Sequence, residues 1–390
     1  PDNEPITWRS ITAVAVALAV FAATVVYGTV RRAQADFQQG PRVALIQGNF
    51  PPLIKHDPRR AQEIFNTHHA LTGMAVHSQP DLIVWPETMY RAPLLHVEPG
   101  VSDADLRHVA PQVQIEAWRS EEVKEVLGDM SGQSGAALII GLEAAVATQE
   151  DLKIYNSAAF VRPDVGYVGR YDKIHLLAFG EYLPLKEQLP WLHKFTPFPP
   201  DYGLDAGESM PVFDDGRWQY AALICFEDTV PHLVREYVAS ARGRDGEPVD
   251  VLVNLTNDGW FHGRTELDQR FSGEQAQHLV TAAFRCVETR TPMVRSVNTG
   301  ISAVIDGDGV VREPVKFLDG DGDGRATFIN PETGEWTKGL NAVVIDDVPL
   351  DDRRSLYLAG GDWFAMACCA GMLLALFAGL LPRRWLNSSP

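Results

Sequence analysis

Two long apolar runs bracket this chain and bound every other reading of it. Residues 11–30 are 20 uncharged, mostly apolar residues, and residues 363–381 are 19 more. At ~1.5 Å per residue each reaches roughly 30 Å, the thickness of a hydrocarbon core. The second is read as the surer membrane helix, opened by Trp363 and followed by Pro382-Arg383-Arg384-Trp385. The first competes with a signal peptide, having Arg9 before it and Ala33-Gln34-Ala35 as a cleavage site. Arg31 and Arg32 sit poorly in a cleavage region, so a helix is the expectation. Arg383 and Arg384 suggest a cytoplasmic C-terminus and a middle that faces outward. Around the first run the arginine bias is reversed. The chain starts with Pro rather than Met, as a fragment lacking upstream segments would.

The expected organisation is therefore a membrane helix and linker over 1–40, a catalytic domain over 41–350, and a second helix with its tail over 351–390. The middle alternates apolar strands with helices, the pattern of a sheet covered by helices. "RVALIQGNF" (42–50), "DLIVWPE" (81–87, stopped by Pro86), "GAALIIGLEA" (135–144), "YAALIC" (220–225) and "VDVLVNLTND" (249–258) read as strands. "YNSAAFV" and "VGRYDKIHL" suggest a hairpin around residues 163–166, and "MVRSVNTGISAVID" another at Asn298-Thr299-Gly300. Helices are expected over 58–78, just after Cys225, and over 266–290. Three loops remain: 88–118, 183–215 and 259–266.

Composition removes some functions. A net charge of −17 argues against a nucleic-acid partner, which would want a basic face. The four cysteines, Cys225, Cys286, Cys368 and Cys369, form no disulfide framework and no zinc spacing. "DGDGDGR" (319–325) copies the start of a calcium loop, but Asn330 stands where the closing Glu belongs. A solvated acidic turn is preferred, and no metal or organic cofactor is expected.

Chemistry collects at strand ends, where α/β folds build sites. "LIVWPE" ends in Glu87, "GRYDKIHLLAFGEYLP" carries Lys173 and Glu181, and "LIC" ends in Cys225. Cys225 hands a strand over to a helix, a position expected to lower its pKa. Glu87 is placed to take its proton, and Lys173 with the backbone N–H of Phe226 to stabilise an oxyanion. Taken singly, these are a capping Glu, a surface Lys and a core Cys. Together they are expected to converge in one pocket. Trp191, Leu192, Phe195 and Phe198 crowd a proline-rich loop, which packs as a satellite core or forms a lipid-facing rim.

"IVWPET", "YDKIHLLAFGEYLPL", "ICFEDTVP" and "NDGWF" resemble the signature stretches of the nitrilase (carbon–nitrogen hydrolase) superfamily. "K-x-H-L-x-x-F-G-E-Y-x-P", "VALIQGNF" and "RSVNTGISAVID" more narrowly resemble the apolipoprotein N-acyltransferase family. The resemblance implies an αββα sandwich flanked by membrane helices, with Glu87 as general acid/base, Lys173 as oxyanion stabiliser and Cys225 as nucleophile. It also implies supporting roles for Glu181 and Glu227. Phe226 stands where the family usually has Tyr, and His56 where it commonly has Trp. Only one helix stands where the family has an N-terminal bundle of several. The implied activity moves an acyl chain from a phospholipid donor, through a Cys225 thioester, to a diacylglyceryl lipoprotein acceptor. The implied setting is the outer, periplasmic side of a bacterial inner membrane, with the protein a monomer. An anchored amidase and a module that only binds lipids or lipoproteins are the rival readings.

Overall fold

The computed structural model describes residues 8–51, 57–185, 188–189, 191, 194, 203–240, 249–261, 273–319, 324–325 and 341–380. Among these, strands form two sheets. The larger uses β1 (Gln38–Gln47), β2 (Leu82–Val97), β3 (Ala137–Ala147), β4 (Leu152–Arg162), β5 (Gly166–Asp172), β11 (Lys316–Asp319), β12 (Gly324–Arg325) and β13 (Ala342–Leu350). Its order is β12-β11-β13-β1-β2-β3-β4-β5. The smaller uses β6 (Phe213–Asp214), β7 (Gln219–Ile224), β8 (Val251–Thr256), β9 (Met293–Val297) and β10 (Ala303–Ile305), in the order β10-β9-β8-β7-β6.

Side-chain alternation builds the layers. Along the large sheet, Val43, Leu45, Leu82, Val84, Ile139 and Phe160 face the small sheet and share its core. Their neighbours Ala44, Ile46, Ile83, Trp85, Leu138 and Ile140 face the other way, against two helices. These are α2 (Ala61–Val76), through Leu71 and Ala75, and α5 (Glu122–Ser134), through Leu127 and Met130. The outer face of the small sheet is covered by α6 (Pro231–Ser240) and α7 (Glu274–Thr289). The result is the expected αββα sandwich. Strands β1, β2 and β3 run parallel and are buried on both faces, which is why their sequence is continuously apolar rather than alternating.

The two sheets are pinned together at polar points. Ser296 Oγ on β9 donates to the carbonyls of both Ile46 (3.0 Å) and Val84 (2.9 Å). The Asn298 side chain exchanges hydrogen bonds with the backbone of Phe50 (2.7 and 2.9 Å). The stretches "VALIQGNF" and "RSVNTGISAVID" thus meet along one seam.

Several boundaries differ from the sequence reading. β2 is not stopped by Pro86 but continues to Val97, with its register broken between Trp85 and Tyr90. Proline lacks the ladder donor, and an irregularity is where a strand tolerates it. Two short helices, α3 (Asp103–Val109) and α4 (Ile115–Trp118), then occupy the expected loop. The described part of the helix expected over 266–290 is Glu274–Thr289, and the start expected at 266 lies outside the described residues. Among the described residues, α1 (Trp8–Ala33) contains a 24-residue stretch long and apolar enough to cross a membrane, and α9 (Trp363–Leu380), which follows the short α8 (Leu356–Gly360), contains the apolar stretch Trp363–Phe377.

Candidate active site

Two strand ends and the irregular middle of a third strand meet at one point of the sandwich, so Glu87 lies inside β2 and not at its end as the sequence suggested. Glu87 comes from the irregular stretch of β2, Lys173 directly follows β5, and Cys225 directly follows β7. All three are buried, with 6%, 1% and 6% of their surface exposed. Gly141 on β3 makes room for the β2 irregularity: a Cβ there would lie 2.2 Å from the Pro86 carbonyl oxygen. Lys173 Nζ stands 4.0 Å from Glu87 Oε1 and 2.7 Å from Glu181 Oε2. Burial acts on the Lys173 ammonium first, pulling its pKa down. The thiolate form of Cys225 and the carboxylates of Glu87 and Glu181 outweigh it and leave the pKa raised.

Cys225 departs from expectation in its ionisation. A single 3-10 turn, Cys225–Thr229, separates it from α6, whose first residue is Pro231. Burial, and next the Glu87 carboxylate, push its thiol up to about 12, against the pull of Lys173. The resting residue is therefore a neutral thiol, and attack requires a base. Glu87 is arranged as one. Its Oε1 accepts from Asn156 Nδ2 at 2.7 Å, while Oε2 is buried with no hydrogen-bond partner. That leaves a lone pair available for a proton.

Two carboxylates hold the pieces in register. Glu181 accepts from Lys173 Nζ, from Asn156 Nδ2 (3.2 Å) and from the backbone N–H of Leu177 (2.8 Å). Glu227 is wholly buried. Its Oε1 accepts from Tyr171 Oη (2.7 Å) and from the N–H groups of Ile174 (2.8 Å) and His175 (3.0 Å), next to Lys173. Its Oε2 accepts from the N–H of Ile224 (2.7 Å), next to Cys225. One side chain thus ties the backbone beside the ammonium to the backbone beside the thiol. Cys225 itself has φ +54°, a left-handed conformation that a non-glycine residue adopts only under constraint. The Ile224–Glu227 bond on one side, and Asn254 Nδ2 donating to the Cys225 carbonyl (3.1 Å) on the other, supply it.

The profile of the carbon–nitrogen hydrolase family matches residues 42–314, the span that contains all of these side chains. The chain belongs to that family. Within it, apolipoprotein N-acyltransferase of Geobacter metallireducens is 31% identical over 375 residues, which are 96% of this chain and 60% of that protein. The protein of the same name from Sinorhizobium medicae is 34% identical over 312 residues, 77% of this chain and 51% of that one. The chain thus spans between half and two thirds of the length of these relatives.

Sequence reasoning missed two features of this family member's site. Asn156, read only as part of a strand, is the donor shared by Glu87 and Glu181, and its carbonyl accepts from the N–H of Lys173 at 2.8 Å. The signal was a lone amide inside an apolar run. The second is a buried ionic cluster behind Cys225. His278 Nδ1 lies 2.8 Å from Asp258 Oδ1, and its Nε2 lies 2.8 Å from Asp228 Oδ1. Both ring nitrogens face carboxylate oxygens, and the imidazolium form donates to both. Arg295 lies 3.6 Å from Asp258 and 3.8 Å from Asp228, giving two cations to two anions. Burial and Arg295 oppose the charge on His278, but the two aspartates prevail and raise its pKa to about 9. The His278 ring stacks on Phe226 (centroids 5.0 Å apart), so the cluster supports the turn that presents Cys225.

The apolar loop is only partly visible. Trp191 is half exposed, while Leu192, Phe195 and Phe198 lie outside the described residues, as do His56, Asn330 and positions 320–323 of the acidic turn. Nearer the site, Leu177, Phe179, Tyr182 and Leu185 are exposed on both sides of Glu181. Among the described residues no group of acidic, His or Cys side chains is arranged to hold a metal ion.

Proposed function

We propose that this chain is a membrane-bound N-acyltransferase working through a Cys225 thioester. The single observation behind the reading is that Glu87, Lys173 and Cys225 arrive at one buried point from three strands of two sheets. In the first step the Cys225 thiol attacks the carbonyl carbon of a phospholipid ester, and its proton passes to Glu87. Lys173 Nζ donates to the oxyanion. Collapse breaks the ester C–O bond, and Glu87 returns the proton to the departing glycerol oxygen. In the second step the α-amine of a diacylglyceryl-cysteine lipoprotein attacks the thioester. Glu87 takes the amine proton and the thiolate leaves, to be reprotonated. Glu181 and Asn156 orient Lys173 and Glu87, and Glu227 with Phe226 positions the nucleophile turn.

The organisation that suits this reading is an anchor over 1–40, a catalytic domain over 41–350 and a second anchor over 351–390, working as a monomer on the periplasmic side of the inner membrane. The exposed Leu177, Phe179, Tyr182, Leu185 and Trp191, continued in sequence by Leu192, Phe195 and Phe198, suit an apolar entrance for a lipid chain. The relatives' name supports the acceptor.

Intact-mass analysis of protein purified from membranes tests the reading. A fatty-acyl adduct removed by neutral hydroxylamine, and absent from Cys225→Ala, is expected. An unacylated wild-type protein that hydrolyses simple amides would instead make it an anchored amidase.

A further inference from the structure

Cys225 has a neighbour that the acid–base arrangement does not use. β7 and β8 run parallel with Ile224 opposite Leu255, so the next positions along the two strands are Cys225 and Thr256. Thr256 is the last residue of β8 and is wholly buried. Asn254, two residues earlier on the same strand, already donates to the Cys225 carbonyl. The Thr256 hydroxyl reaches two acceptors. One is the Cys225 sulfur, to which it hydrogen-bonds. The other is Asp258 Oδ1, 3.4 Å away, which is long for a bond between two oxygens.

A hydroxyl has one proton to give, so these two acceptors compete for it. Asp258 can do without it. The same Oδ1 lies 2.8 Å from His278 Nδ1, and Arg295 lies 3.6 Å from Asp258 Oδ2. A thiolate cannot do without a donor, because a buried anion with no hydrogen bond is costly. While the Cys225 thiol is neutral, the Thr256 proton belongs to the charged Asp258. Once the thiol ionises, the sulfur becomes the acceptor in need.

The charges around Cys225 leave this task to Thr256. Burial disfavours the thiolate, and so do Glu87 on β2 and Asp258 after β8, whereas Lys173 after β5 and the Thr256 hydroxyl favour it. Glu181 stands on Lys173, while His278 on α7, Arg295 on β9 and Asp228 stand around Asp258. Glu227 is spent on Tyr171 and on backbone N–H groups. Lys173 Nζ is held by Glu181 at 2.7 Å, and in the proposed reaction it serves the oxyanion. The sulfur then needs its donor from the other side, where Thr256 stands.

We infer that the Thr256 hydroxyl is the hydrogen-bond donor to the Cys225 thiolate, turning from Asp258 to the sulfur as the thiol proton leaves for Glu87. The hydroxyl keeps its own proton throughout, and His278 holds Asp258 while Thr256 is turned away. This rests on the reading of Cys225 as the nucleophile and adds a residue to its activation. The donor acts twice in the proposed cycle: when the thiol gives up its proton to attack, and when the thiolate leaves the second tetrahedral intermediate. It also gives the buried cluster behind Cys225 a part in the chemistry, since Asp258 can release Thr256 only while the imidazolium stays beside it.

The test is the rate at which iodoacetamide alkylates Cys225 in the full-length protein in detergent, read by peptide mass at stepped pH from about 7 to 9. The thiolate displaces iodide, so the rate reports the thiolate present. Thr256→Ala and Thr256→Ser both remove the γ-methyl and leave the same extra room, and they differ only in the hydroxyl. Thr256→Ala should react about tenfold more slowly than wild type at every pH, the equivalent of one pKa unit. Thr256→Ser should stay within about twofold of wild type. A merely loosened site would move the rate the other way, because uncovering the thiol relieves the burial that holds its pKa up. Should Thr256→Ala fail to fold, Thr256→Val, which keeps the volume, is compared with wild type for the same tenfold slowing. Ala and Ser variants reacting alike, whether fast or slow, would overturn the inference. The readout does not involve acyl transfer: the Ala–Ser contrast without any acyl adduct on wild-type protein would sink the proposed activity and leave the role of Thr256 standing.

Discussion

Replacing His278 with Gln removes one positive charge from a cluster that holds two carboxylates. The ring's pKa is raised from its ordinary 6.5 to about 9, and 1.36 kcal/mol per unit makes the gap worth about 3 kcal/mol. The sign follows from the direction. A raised basic group contributes its full stabilisation below pH 6.5 and loses it as pH climbs through about 9. Wild-type protein in detergent should therefore become less stable between pH 6.5 and 9, by about 3 kcal/mol relative to His278→Gln at the same pH values. Unfolding followed by intrinsic fluorescence at stepped pH measures both profiles, and their difference cancels the titrating groups remote from the cluster. At pH 6.5 the variant should be the weaker protein, because Asp228 and Asp258 then share only Arg295. Thioester formation should fall with it, since the Phe226 turn loses its stacking partner. Parallel stability profiles for the two proteins would refute the imidazolium argument.

Cys225→Ser should abolish acyl-adduct formation with an unchanged circular dichroism spectrum, while Cys286→Ala, buried in α7, should retain the adduct. Asn156→Ala should slow thioester formation about 10²-fold, the low end of what a positioned acid–base group contributes, as read by single-turnover mass spectrometry. Glu227→Gln turns an amide N–H toward the Ile224 N–H, so chemical denaturation should show a loss of about 1.5–3 kcal/mol, the worth of a hydrogen bond to a charged group. Trp191→Ser combined with Phe198→Ser should slow acylation from vesicles but not from a short soluble ester, and equal slowing with both would make the loop merely structural.

The strands were legible because parallel strands buried on both faces must be apolar throughout, and "VALI", "LIVW" and "AALI" are. Pro86 misled, because its effect depends on Gly141 of the next strand, 55 positions on. Lys173 and Cys225 were legible as residue types at strand ends, whereas Glu87 was read at an end and lies inside β2. The ionisation of Cys225 was not, since sequence shows a helix start nearby but not the burial and the Glu87 charge that outweigh it. His278, Asp228, Asp258 and Arg295 each look like ordinary polar residues. Their meaning lies in contacts between residues 17 to 67 positions apart, for which a single sequence carries no pattern.

β1 pairs antiparallel with β13, Gln38 opposite Leu350 and Gln47 opposite Ala342. These two strands sit in the interior of the large sheet yet are among the first and last parts of the domain to be made. Until β13 arrives, one edge of β1 stays open, and such non-local pairing is slow to form and prone to aggregate. The apolar helices are placed to shorten that search. α1 ends five residues before β1, and α9 begins thirteen residues after β13, with Arg31, Arg353 and Arg354 joining their roots. If both helices cross one membrane, as proposed above, that shared anchoring lowers the entropy lost when the sheet closes. The second helix is on this view a folding aid as much as a tether, felt most in how fast the sheet completes during biogenesis.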